Sequence, residues 1–199
     1  MPTQYSLRHY WSWDTECLRN WRFEGSLDGV EWTVLKEHVE DMALNGKGST
    51  YTWPLPAKFH EQTFSKFRIF QTGINSNKHY YLALSGFEIY GKLISLPNAV
   101  AAVVAPPQLS VDHKPTFAYS GTDFDGHGII HFIATQGGAK PWTNPAVAGY
   151  LKVTASSLMD DSTPSTDVVG NRQRQKRSKR NPKASDTAID ALIQAIFAE

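Results

Sequence analysis

Cysteine is almost missing from this chain: Cys17 stands alone, so no internal disulfide can form. Small extracellular β-domains lean on such bridges, and their lack points to a reducing compartment. No Asn-x-Ser/Thr glycosylation acceptor occurs. The opening Met1-Pro2-Thr3-Gln4-Tyr5 lacks the basic and apolar stretches of a secretory leader. Ala99–Ala105 is the longest mildly apolar run, far short of the roughly 20 residues that span a bilayer. Together these absences predict a cytoplasmic or nuclear protein with no membrane partner.

Catalytic signatures are missing too. The sequence contains no phosphate-binding Walker loop, no G-x-G-x-x-G, no H-E-x-x-H and no C-x-x-C. Cys17 precedes a strand-like stretch, where a small buried thiol is the expected state. His127 and His131 are four apart, a zinc-ligand spacing on a helix, but Gly126, Gly128 and the Ile129-Ile130 pair argue for a strand. Asp123-Phe124-Asp125-Gly126 has the look of a calcium loop without the remaining ligands, and reads as a turn with Asp caps. The expectation is a non-enzyme with no cofactor and no metal.

Charge is unevenly spread. Residues 171–183 carry seven Lys or Arg and no acid, and removing them from the net +1 leaves −6 on the rest. The main body is therefore no basic nucleic-acid surface. Only the run 174–180, with Lys176, Arg177, Lys179 and Arg180, has the composition of a nuclear-localisation or nucleic-acid-binding tail.

Large flat side chains are plentiful: six Trp, eight Tyr and ten Phe, which suits sheets better than helical bundles. Over residues 1–93 short alternating segments follow one another: Tyr5–Tyr10, Trp21–Gly25, Trp32–Leu35, Ser49–Trp53, Phe67–Gln71, Tyr81–Leu84 and Phe87–Gly91. Alternation within each places Leu7, Trp21, Phe23, Trp32, Leu35, Ile69, Leu84 and Ile89 in a core. Residues 94–115 read as a linker around Pro106-Pro107. Residues 116–158 return to β-type sequence, with strands at 128–134 and 150–154 around a Gly137-Gly138 turn. Residues 159–185 are polar, basic and expected to be disordered. In 186–199, Ile189, Leu192, Ile193, Ile196 and Phe197 share one helical face behind a Ser185 or Asp186 cap, predicting a short helix.

The string Y-S-L-R-H-Y, then L-R-N-W-R-F-E-G-S-L-D-G-V-E-W-T-V-L, G-S-T-Y-T-W-P-L, F-R-I-F-Q-T-G and Y-L-A-L-S-G-F-E-I-Y-G, resembles an intracellular branch of discoidin-like domains. That branch accompanies HECT-type E3 ubiquitin ligases and BTB-containing adaptors. The resemblance implies a mainly β fold, an antiparallel jelly-roll β-sandwich of the galactose-binding-like kind. Phe117–Thr154 resembles the opening of the same domain, which in the family precedes the Leu-Arg-His strand; here it follows. The core strand of Trp-Phe-x-Ile-Asp-Leu type that the family places after Val168–Arg172 is replaced by the basic tail. Two accounts stand open: a piece of a tandem-domain protein, or a circular permutant in which residues 117–154 complete the sheet of residues 5–91.

Jelly-roll sites lie on loops at one end of the scaffold. Trp11 and Trp13, with Asp14, Glu16, Arg8 and His9 close in sequence, could stack on a sugar or anchor a peptide, or could instead plug the core. The 71–80 loop, with Asn75 and Asn77, would form a second wall or merely a turn. A protein or peptide partner heads the expectations, a glycan is the alternative, and nucleic acid enters only through the tail.

Overall fold

Alternation along the first strand decides the layout. Tyr5, Leu7 and His9 point one way while Ser6 and Arg8 point the other, and all five are buried, so this strand is covered on both faces. A computed structural model describes residues 1–95, 114–156 and 168–169, and the backbone of 195–197. It is mainly β. The strands are β1 (Pro2–His9), β2 (Trp21–Ser26), β3 (Thr33–His38), β4 (Thr50–Pro54), β5 (Lys66–Gln71), β6 (Leu84–Lys92), β7 (Thr116–Phe117), β8 (Leu151–Lys152) and β9 (Ala195–Phe197), with one short helix, α1 (Ile129–Ala134).

Two antiparallel sheets result, ordered β4-β1-β6-β7 and β3-β2-β5-β9-β8. Their facing side chains form a shared core. Tyr5 stacks on Phe23 across it at 4.0 Å between ring centres, and Phe23 on Phe67 at 5.6 Å. Leu7, Ile69, Ile89, Ile129, Ile133, Leu151 and Val153 belong to the same buried cluster. Residues on both sides of the 96–113 connection therefore contribute to one core.

A line of polar groups crosses this aromatic interior. The Trp21 indole N–H donates to the Tyr5 oxygen at 3.0 Å, and the Tyr5 hydroxyl lies 2.7 Å from His38 Nε2. His38 Nδ1 faces Asp41 Oδ2 at 2.7 Å, and Trp53 Nε1 donates to the same oxygen at 3.1 Å. Because the Tyr5 oxygen accepts from the Trp21 N–H, the line is complete when the Tyr5 hydroxyl donates to His38 Nε2 and Nδ1–H donates to Asp41, a neutral imidazole. Burial, against the pull of Asp41, keeps the His38 pKa below its ordinary value. Each buried donor thus has an acceptor, which is the condition for polar groups to sit in a core without destabilising it.

Several expectations need correcting. Residues 129–134 are helical, not a strand. Gly128 is extended at φ −90°, and the Glu88 carboxylate accepts the backbone N–H groups of Ile130 (2.7 Å) and His131 (3.1 Å). A partner more than forty residues away thus overrides the β-propensity of three isoleucines. The predicted C-terminal helix is not seen where the chain is described: Ala195–Phe197 is β9, paired with β5 through Lys66↔Ile196 and Phe67↔Ala195 and with β8 through Leu151↔Phe197. A 14-residue helix is marginal alone, whereas the edge of β5 offers backbone N–H and C=O groups that a further strand can pair. The rest of that segment and the basic run 171–183, including Lys176, Arg177, Lys179 and Arg180, lie outside the described residues.

Trp32 and Leu84 are half-buried rather than core. Trp32 faces outward, where the Arg68 guanidinium lies over its ring at 4.2 Å. Tyr81–Ala83 carry no strand, and the last strand of the 1–93 region starts only at Leu84.

Candidate functional site

The β1–β2, β3–β4 and β5–β6 connections all emerge at the same end of the two sheets, as strand direction requires. Backbone bonds stitch them together: Tyr10 N–H to Ala83 O (2.9 Å), Gly48 N–H to Tyr10 O (3.1 Å), Ser76 N–H to Cys17 O (2.9 Å) and Asp41 N–H to Arg19 O (2.9 Å). The buried Arg19 guanidinium adds bonds to the carbonyls of Leu18, Asp41 and Leu44. Loops held in this way form a fixed surface rather than a fluid one.

On that surface stand Trp11 and Trp13, 43% and 55% exposed. Neither plugs the core. Gly48 explains the position of Trp11: its φ is +63°, and an added Cβ would come within 2.6–2.8 Å of the indole ring. The ring therefore lies against bare backbone, at an approach that a Cβ on residue 48 would block. The carbonyl of Trp13 is held by His9 Nε2 at 3.1 Å. Val39, Met42, Ile74 and Tyr80 from the neighbouring loops are exposed as well. Asp14 is exposed beside the two Trp residues.

Beneath the aromatic rim lies a polar scaffold. Glu16, in left-handed backbone (φ 69°), accepts from Asn77 Nδ2 at 2.5 Å and faces His79 Nδ1 at 3.2 Å. Asn75 is buried; its Oδ1 accepts the N–H groups of Asn77 and His79, and its Nδ2 donates to Tyr81 O. The His79 and Tyr81 rings stack at 5.3 Å. Burial disfavours the Glu16 carboxylate, but hydrogen bonds from Tyr81, Asn77, His79 and Asn75 outweigh it and hold its carboxyl below the ordinary value. His9, fully buried, has its pKa lowered by desolvation.

Of the residues singled out from sequence, Trp11, Trp13 and Asp14 share the exposed rim, Glu16, Asn75 and Asn77 share the scaffold, and His9 underlies Trp13. Arg8 is elsewhere. It lies on the outer face of the β4-β1-β6-β7 sheet, with Phe124 over its guanidinium at 4.7 Å and Ser85 O accepting from it at 3.1 Å. Gly48, His79 and Tyr81 join the site without having been singled out by the sequence; the adjacent His79-Tyr80-Tyr81 triplet at the end of the 71–80 loop is the available signal. His127 precedes α1 and turns to Asp125 at 3.0 Å. Asp123 and Asp125 are engaged by Thr52, Tyr119, Ser120 and the His127 N–H. Among the described residues no group of three or more His, Cys, Asp or Glu side chains is placed to hold a metal ion, and no helix is long and apolar enough to cross a membrane.

The chain matches no family model and no solved structure. It is 42% identical over 106 residues, 52% of its length, to the E3 ubiquitin-protein ligase Ufd4 of Drosophila melanogaster. Over 97 residues, 48% of its length, it is 42% identical to the E3 ubiquitin-protein ligase hecd-1 of Caenorhabditis elegans. A BTB/POZ domain-containing protein of Arabidopsis thaliana is 32% identical over 75 residues, 37% of the chain. These spans cover only 4%, 4% and 9% of the respective relatives.

Proposed function

We propose that this chain is a non-catalytic recognition module of the ubiquitin pathway, a discoidin-like jelly-roll sandwich in the cytoplasm or nucleus that holds a protein partner by a peptide segment. The observation that carries the reading is the pair of exposed indoles on a hydrogen-bonded loop scaffold. Aromatic side chains fixed before binding lose little rotamer freedom on contact, so they contribute more of their buried area to affinity than mobile ones. Two antiparallel sheets in which four of the seven neighbouring pairs join non-consecutive strands suit the jelly-roll assignment.

A non-catalytic role is supported by the single thiol. Cys17 is 1% exposed, with its sulfur 3.4 Å from Gly46 N and 3.6 Å from Asp14 O. Thioester transfer of ubiquitin needs an accessible thiolate, which this position does not supply.

Panning a random-peptide display library against the purified chain tests the proposal. Enriched peptides should share an apolar anchor and bind Trp11→Ala and Trp13→Ala variants at least about tenfold more weakly, as for a hot-spot aromatic. Peptides that bind the two variants as well as the parent would overturn it. So would a glycan-array signal lost in the same variants without any peptide enrichment.

A further inference from the structure

The outer face of the β4-β1-β6-β7 sheet carries Ser6, Arg8, Glu88 and Tyr90, alternating with the core residues Tyr5, Leu7, Phe87 and Ile89. All four outward residues are buried, Arg8 at 6% exposure and Glu88 at 5%. What covers them is the stretch that follows the 96–113 connection. β7 pairs with the end of β6 through Gly91↔Phe117 and Lys92↔Thr116, and Leu93 N–H donates to Pro115 O at 3.0 Å. The two ends of the connection therefore meet, as in a hairpin.

Beyond β7 the contacts are specific in chemistry. The Tyr119 ring packs edge-on against Tyr90 at 5.4 Å, and Thr52 donates to Asp123, which also accepts from Tyr119 at 2.8 Å. Phe124 covers Arg8. Glu88 then receives the first-turn N–H groups of α1, and Gly128 passes so close that any Cβ would overlap the Glu88 side chain. A buried carboxylate without those donors would be strongly destabilising, so sheet and segment need each other.

We infer that this sheet face is a peptide-binding site whose ligand is the chain's own segment 114–134, selected by the Glu88 carboxylate. The ligand chemistry is a two-residue strand with Phe, an Asp-aromatic pair, and a glycine opening one helical turn. It uses none of the loop residues 11–16, so it stands or falls apart from the recognition proposal above.

Introducing a protease site into the 96–113 connection of the full chain and cleaving it tests the inference. The two pieces should stay associated through native gel filtration. After cleavage, Glu88→Ala should weaken the association by about tenfold or more, the effect of leaving buried N–H groups unpaired. Phe124→Ala, a change at a half-buried position, should weaken it several-fold, whereas Trp13→Ala should leave it unchanged. Pieces that separate on cleavage of the parent chain would overturn the proposal, as would Phe124→Ala and Glu88→Ala pairs that hold as tightly as the parent.

Discussion

The loop end and the outer face of the β4-β1-β6-β7 sheet distribute polarity in opposite ways. At the loop end large apolar rings face water, while Glu16 and Asn75 lie buried beneath them. On the sheet face an arginine and a glutamate are buried, and the half-buried Phe124 lies above. Neither pattern is the usual apolar-inside arrangement. What differs is how the polar groups are satisfied. The loop scaffold closes among the loops themselves, residue 16 with residues 77–79, and leaves the rings exposed. The sheet face closes only with a segment beyond the 96–113 connection, which uses up the face. On the proposed reading the exposed rings await a partner, whereas the buried charge already has one within the chain.

The strongest way to break this contrast is at Gly128. Its backbone would tolerate a side chain, but the added methyl group would run into Glu88, which is fixed by the N–H groups of Ile89, Ile130 and His131 and cannot swing aside. Gly128→Ala should cost about 3 kcal/mol, at the upper end of overpacking changes. Urea unfolding with an unchanged slope would measure it. A loss under about 0.5 kcal/mol, the range of ordinary surface substitutions, would mean that the sheet face is loosely covered.

A pH series sharpens the same contrast. Burial raises the Glu88 pKa to about 7, against the lowering effect of its three N–H donors and with a small addition from Asp125. The folded state therefore holds this proton more tightly than the unfolded chain. The stabilisation is complete below the ordinary glutamate value and is lost as the pH rises through about 7. Between pH 5 and 8 the loss is on the order of 2 kcal/mol. His9, His38 and His131 act in the opposite sense, since burial lowers their pKa values and stability then falls as the pH drops below the ordinary histidine value. The difference between the parent chain and Glu88→Gln isolates the glutamate. Parallel curves for the two from pH 5 to 8 would show that Glu88 does not titrate there.

Much of the two-sheet body is readable from local sequence. Alternation predicts the burial of Leu7, Trp21, Phe23, Leu35, Ile69 and Ile89, and all six are buried. What escapes such reading depends on distant partners. The helix at 129–134 exists because Glu88 receives its N–H groups; within its own window three isoleucines favour a strand. β9 pairs with β5 although its neighbours in sequence follow a helical repeat. The sequence also leaves open whether Trp11 is a core plug or a surface ring. That choice falls to Gly48, thirty-seven residues on, whose bare backbone gives the ring a place to lie outside the core.

The smallest stability effect, and the most telling one, belongs to Trp13. Its ring is 55% exposed, and its described hydrogen bond is through the main-chain carbonyl to His9, which a side-chain truncation leaves intact. Trp13→Ala should therefore change unfolding free energy by no more than about 0.5 kcal/mol. Trp11→Ala should cost somewhat more, about 1 kcal/mol, because the contact with Gly48 is lost with the ring. A large aromatic that contributes so little to folding is free to contribute to binding, and the ratio of the two effects is the measurement. If Trp13→Ala lowers the thermal midpoint by many degrees, the ring is a structural element and the loop end loses its claim as a recognition surface. If the midpoint holds and peptide binding disappears, the exposed rings are what the scaffold of Glu16, Asn75 and His79 exists to present.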